Sequence, residues 1–186
     1  MTRRANSEPD AVDLMLEQWR RERPDLDTSG LAVFGRLHRA FNRYQAHLTE
    51  LFNDYDLSIS SFSVLAALRR LGHPYRCTAG KLADIDLVST GGITQRVDKL
   101  QTAGLVNRER DPEDRRIVYV ELTEKGLAAV DEVATAHFAN EAEMLGGLTH
   151  SERGQLARLL SRLERSLDLA DMRSLAADGE SQQSPP

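Results

Sequence analysis

Residues 87–122, LVSTGGITQRVDKLQTAGLVNRERDPEDRRIVYVEL, decide the fold. Ile93, Val97 and Leu100 fall within about 60° of one another on a helical wheel, so this part predicts a short amphipathic helix running into Gly104. The stretches 105–110 and 117–122 alternate as half-buried strands do. DPEDR between them places Pro112 where a turn accepts it. A helix followed by a hairpin tipped with Arg115 and Arg116 is the order of a winged helix-turn-helix, which can set one element in each groove of a duplex.

Outward from this stretch the pattern is mainly helical, so the expected fold class is mainly α with a small β-hairpin wing. Val12, Leu16 and Trp19 mark one face of a first helix that Pro24 ends. Thr28 or Ser29 is the expected cap of a long second helix with the stripe Phe34, Leu37, Phe41, Tyr44, Leu48, Leu51 and Tyr55. Ser60 starts a third helix, which breaks at Gly72–His73–Pro74. Thr78 caps a short fourth, and Ser89 or Thr90 caps the helix of the opening stretch. Thr123 caps a helix over 124–146, and Thr149-x-x-Glu152 is a capping box for a last helix with Leu156, Leu160, Leu163 and Leu167 on one face. The expected organisation is a disordered tail over 1–8, N-terminal helices over 9–56, the winged unit over 57–123, C-terminal helices over 124–172 and a second disordered tail over 173–186.

Charge narrows the function without fixing it. The 186-residue chain carries a formal net charge of −5, so it is no generic polyanion binder and any basic footprint is local. Over 89–116 six positive side chains face five negative ones, so orientation must separate the signs. The single cysteine, Cys77, allows no internal disulfide and suits a reducing compartment. The N-terminus lacks an apolar signal core, and no apolar run approaches the roughly 18 residues of a membrane span. A cytoplasmic protein with no membrane partner is expected. The five histidines show no metal spacing, and no nucleophile–base set or phosphate loop appears, so neither an enzyme nor a cofactor is expected.

Opposite the apolar face of the opening helix lie Gly91, Gly92, Gln95, Lys99 and Thr102. Two glycines in a first turn cost about 1 kcal/mol each against alanine, a cost that close approach of the backbone to a phosphate can offset. Gln95 can pair with adenine, and Thr94 can meet a base edge or a thymine methyl. The candidate DNA-binding residues are therefore Ser89, Thr90, Gly91, Gly92, Thr94, Gln95 and Lys99 on the helix, with Arg110, Arg115 and Arg116 on the hairpin. Asp98 falls on the same side and needs a cationic partner within the protein. Arg96 sits on the helix flank, about 70° from the apolar centre, better placed for a pocket than for bases.

These residues carry a resemblance. LSISSFSVLAALRRLG at 57–72, the helix pair after it and GLVNRERDPEDRRIVYVELTEKG at 104–126, with its D-x-x-D-R-R wing and L-T-x-x-G, resemble the MarR family of bacterial transcriptional regulators. The similarity extends over about 10–170. It implies a homodimer with interleaved first and last helices, a double-stranded DNA partner with a pseudo-palindromic site, and repression relieved by a small effector. Activation, ligand-independent regulation, or a protein-interaction module without DNA binding are the alternatives.

DLMLEQWRRERPDLD at 13–27 and AHFANE at 136–141 resemble the urate-responsive, PecS-like subgroup. The resemblance implies a ligand site of a first-helix tryptophan, an acid and two arginines, matched here by Trp19, Ser63, Arg96 and Arg108. Ser63 is not an acid, so the proposed trigger of that subgroup, a carboxylate repelled by an anionic ligand, is missing from its place. The expected effector is anionic or aromatic: urate, another purine or a phenolic compound.

Overall fold

The computed structural model describes the backbone of residues 8–86 and 90–181 and the side chains of residues 8–85 and 92–171. In order these form α1 (Ala11–Glu22), α2 (Ser29–Asn53), α3 (Ile59–Arg70), β1 (Arg76–Thr78), α4 (Ala79–Asp86), α5 (Thr90–Thr102), β2 (Val106–Arg110), β3 (Val118–Leu122), α6 (Glu124–Met144) and α7 (His150–Ser181). They fall into two compact units, Met1–His137 and Phe138–Pro186.

In the first unit, Asp10 caps α1: its carboxylate accepts the Val12 and Asp13 amides at 2.8 and 2.9 Å, and Asp13 returns a bond from the Asp10 amide at 3.0 Å. Arg36 of α2 reaches the same two acids, at 2.9 Å to Asp10 and 2.6 Å to Asp13, and so fastens α1 to α2. Val12 and Leu16 are buried, but Trp19 stays half-exposed, which splits the expected three-residue face. Thr28 occupies the cap position of α2 without a side-chain bond. Asp27 accepts the Ser29 amide at 2.9 Å instead, since a carboxylate is the stronger acceptor for that orphan N–H. Ser58, two residues before the expected Ser60, caps α3 through the Ser61 amide at 3.0 Å.

The core of this unit gathers Leu48 and Phe52 of α2, Phe62, Val64, Leu65 and Leu68 of α3, Leu82 of α4, Ile93, Val97 and Leu100 of α5, Val106 and Val120 of the sheet, and Val130 and Val133 of α6. Each such side chain taken from water stabilises the fold by about 1.5–3 kcal/mol before conformational entropy is set against it. The expected two-stranded hairpin is a three-stranded antiparallel sheet in the order β1-β3-β2. Arg76 pairs with Glu121 and Thr78 with Tyr119 on one side of β3, and Glu109 pairs with Tyr119 on the other. A strand of three residues is too short to show alternation, so β1 exists because β3 offers it an edge.

The corner between α5 and β2 explains two small residues. Gly104 takes φ +72°, a left-handed helix end that lets the Leu105 amide bond back to Leu100 at 2.9 Å. Gly126, in the first turn of α6, lies so near this corner that a Cβ there would stand 1.9 Å from the Leu105 carbonyl oxygen. Thr123 closes the contact, donating to the Gly104 carbonyl at 2.8 Å and accepting the Gly126 amide at 2.9 Å. The L-T-x-x-G run is thus a packing device, with Thr123 as cap and Gly126 as clearance.

In the second unit, the Thr149–Glu152 capping box forms as expected: Glu152 accepts the Thr149 amide at 2.8 Å, and its own amide donates to the Thr149 hydroxyl at 3.3 Å. Leu156, Leu160 and Leu167 are exposed along α7. The helix continues to Ser181, past the expected boundary at 172, because Leu175, Ala176 and Ala177 favour helix over the Ser, Gln and Pro that follow. Among the described residues no helix is long and apolar enough to cross a membrane.

Candidate nucleic-acid interface and ligand cavity

Helix α5 separates its faces as its sequence predicts. Ile93, Val97 and Leu100 are buried, while Thr94, Gln95 and Lys99 are exposed and Gly92 is half-buried. Thr90 and Gly91 begin the helix, and Ser89 lies outside the described residues. The exposed face therefore offers an amide, a hydroxyl and an ammonium group, the chemistry that reads base edges and phosphates in a major groove.

The hairpin is built to hold a turn. Asp111 accepts the amides of Glu113 and Asp114 at 2.9 and 3.0 Å, and Asp114 accepts that of Arg116 at 2.9 Å. Such a carboxylate-nucleated turn fixes the tip without a regular ladder. Those backbone amides, Asp114 first and Glu113 next, hold the Asp111 carboxyl below its usual range, with Tyr119 and Arg76 adding to them. Arg110, Arg115 and Arg116 are all exposed.

Asp98, the acid on the exposed face of α5, finds its cation in Arg108 of β2, which bonds it directly. This pair cancels the wrong-signed charge beside α5 and ties the helix to the hairpin. It also gives Arg108 a structural partner away from the cavity that Arg96 lines.

That cavity, of about 460 Å³, is lined by Thr49, Phe52 and Asn53 of α2, Leu57 and Ser58 before α3, Ile59, Ser60 and Ser63 of α3, and Arg96 of α5. Of the four residues expected at a ligand site, Ser63 and Arg96 meet here. Trp19 and Arg108 do not line it. Its chemistry is one guanidinium, several hydroxyls and an amide against an apolar floor, with no carboxylate in the lining among the described residues. Such a set suits a small planar anion, since a guanidinium gives paired donors to a carboxylate or enolate and the apolar side chains cover a ring. Thr49, Asn53, Ser58 and Ser60 were not singled out by sequence reasoning. The signal was the serine density of SISSFS at 58–63, more hydroxyls than one helix cap needs.

Comparison with known proteins agrees with the winged-helix fold. The MarR family model matches residues 55–117. The transcriptional regulator PecS of Dickeya dadantii is 35% identical over 84% of this chain and 94% of its own length. MhqR of Bacillus subtilis, also a transcriptional regulator, is 30% identical over 72% of this chain and 90% of its own. Among solved structures, Bordetella bronchiseptica BpsR, whose DNA binding is regulated by 6-hydroxynicotinic acid, superposes with TM-score 0.64 at 28% identity, covering 72% of this chain and 98% of that one. A mutant of Escherichia coli MarR complexed with operator DNA gives TM-score 0.63 at 27% identity, over 74% and 99% of the two chains. The winged unit, the charge arrangement of its helix and hairpin, and similarity to such regulators over most of the chain lead to one conclusion: the chain belongs to the MarR family of DNA-binding transcriptional regulators.

Proposed function

We propose that the chain is a cytoplasmic homodimeric repressor that binds a pseudo-palindromic operator and is released by a small anionic, aromatic ligand. One observation carries this reading: Arg96 of α5 lines the 460 Å³ cavity while Thr94, Gln95 and Lys99 of the same helix stand exposed. A ligand that engages Arg96 acts on the element that meets DNA, so its binding energy can bias the position of that element. This is the coupling that links effector to operator affinity. The ring lies against Phe52, Leu57 and Ile59, and Ser63 donates a neutral hydrogen bond where the resembling subgroup has an acid. A heteroaromatic acid of the kind that regulates BpsR has the right charge and planarity. The exposed stripe Phe34, Leu37 and Phe41 is an apolar surface that a second copy covers. On DNA, Ser89, Thr90, Gly91, Gly92, Thr94, Gln95 and Lys99 take the major groove and its flanking phosphates, and Arg110, Arg115 and Arg116 take the backbone and the adjacent minor groove.

Two variants test this on duplexes that the wild-type protein selects from a random pool. Arg115→Ala weakens binding about tenfold and lowers the salt slope by about one, the loss of one phosphate-neutralising side chain. Arg96→Ala keeps DNA affinity within a few-fold and no longer lets go when urate, other purines, phenolics or heteroaromatic acids are added. Unchanged affinity and slope for the first variant sink the wing assignment. Normal release of the second moves the effector site elsewhere.

A further inference from the structure

Arg76 opens β1, an edge strand, yet its side chain works on the far edge. β1 and β2 flank β3, so they lie about 9–10 Å apart at the usual strand spacing. The Arg76 guanidinium spans that gap: its Cζ stands 4.2 Å from the centre of the Tyr119 ring on β3, and its Nη2 meets Glu109 Oε2 on β2 at 2.8 Å. The register allows this. Arg76 lies opposite Glu121, and Tyr119 lies opposite both Thr78 and Glu109, so these side chains share the sheet face turned away from Cys77 and Val120 in the core. Nε is buried and has no hydrogen-bond partner among the described residues. The guanidinium is thus held by the ring beneath it and the carboxylate beyond.

The contact does not stop at Tyr119. Tyr119 helps hold the Asp111 carboxyl below its usual range, and Asp111 is the acid whose bonds to the Glu113 and Asp114 amides shape the turn before Arg115. Arg76 therefore ties β1 to Tyr119 and Glu109, on the two strands that the turn of the wing joins. The same face carries the acids Glu109 of β2 and Glu121 of β3, and Asp111 follows Glu109 into the turn of a hairpin meant for a polyanion. Arg76 is the cation set among them.

We propose that Arg76 is a positioning residue for DNA binding. It holds the hairpin in the orientation that presents Arg115 and offsets the charge of Glu109 and Asp111, without touching nucleic acid itself. This rests on the wing reading given above.

The test measures affinity and salt slope on the same selected duplexes for wild type, R115A, R76Q, R76K, E109Q and the double variant R76Q/E109Q. R76Q is expected to weaken binding roughly five- to twentyfold, the scale of a lost cation–π contact and ion pair, with a salt slope within about half a unit of wild type. In the double variant most of the lost affinity returns, because the uncompensated acid is gone. R76K, which keeps the charge and loses the planar stack, falls between wild type and R76Q. Thermal melting of each variant separates loss of orientation from loss of fold. Should R76Q not fold, R76K and the double variant decide. Affinity of R76Q within twofold of wild type overturns the inference, as does a slope reduced by about one, the mark of a direct phosphate contact. Absence of recovery in the double variant overturns it too. If R115A itself binds normally, the wing reading falls first. If R115A is weakened and R76Q is not, only the role of Arg76 falls.

Discussion

On α5, Ile93, Val97 and Leu100 keep 0, 0 and 2% of their surface, whereas on α2 Phe34, Leu37 and Phe41 keep 47, 38 and 52%. Both stripes follow the helical period, and the α2 stripe carries the larger side chains. What differs is what lies opposite. Helices α3 and α4 and the sheet close over α5 within the chain, while α2 meets the core through its C-terminal half, where Leu48 and Phe52 are buried and Tyr44 packs against the cluster. Period shows which face is apolar. The cover is set by chain topology and, in the proposed dimer, by a second copy.

The largest effect expected from breaking this contrast is on α5. Ile93→Ala leaves a cavity in a closed core and costs about 2–5 kcal/mol, read from the urea midpoint. Phe41→Ala costs well under that in stability, since about half of the ring is already in water. Its effect shows instead as a lower dimer fraction in sedimentation at micromolar concentration. Equal losses of stability for the two variants, with no change in association, contradict the contrast drawn here.

Gly126→Ala comes next. The added methyl meets the Leu105 carbonyl at a distance no Cβ tolerates, so the start of α6 must move, at about 1–3 kcal/mol for overpacking. Because that corner also joins α5 to β2, the variant weakens DNA binding beyond what its lower melting temperature explains. An unaltered melting temperature refutes the clearance role.

The smallest effect is in the second unit. The Thr149 amide and then its hydroxyl hold the Glu152 carboxyl below its usual range. A carboxyl depressed in the folded state contributes stability above its unfolded value, and the contribution is lost as pH falls through the folded one. Amide exchange in the first turn of α7 is therefore flat from pH 8 to 5 once the intrinsic rate is removed, and rises only below the ordinary carboxylate range. Thr149→Ala raises it at every pH by the cost of a lost cap, roughly 0.5–1 kcal/mol. Protection that already declines between pH 7 and 6 points to another group.

Much of the fold was legible because its signals are local. The period of α5, the Asp111–Pro112 turn, the Thr123 cap and the Thr149–Glu152 box each need only a few adjacent residues. The need of Asp98 for a cation was legible as well, since an unpaired acid is costly on a helix proposed to meet a polyanion. That Arg108 supplies it was not, because the pair joins a helix to a strand. The same limit hid β1, whose three residues become a strand only beside β3, and Arg76, whose partners lie on two other strands. It also hid the hydroxyl lining of the cavity, where Thr49 and Asn53 arrive from α2.

By itself, then, the sequence determined the helical and extended periods, the caps, the basic tip of the hairpin and the resemblance that names the family. Only the tertiary structure decided that Arg96 and Ser63 share a cavity and that Arg108 answers Asp98 instead. It likewise decided that Arg76 crosses the sheet to Glu109 and that the upstream stripe of α2 stays uncovered. Hydrogen bonds along the chain and side-chain period act over one or two turns, within reach of a sequence. Which face meets which, and which charge finds its partner, depends on distant segments brought within a few ångströms by burial of the core.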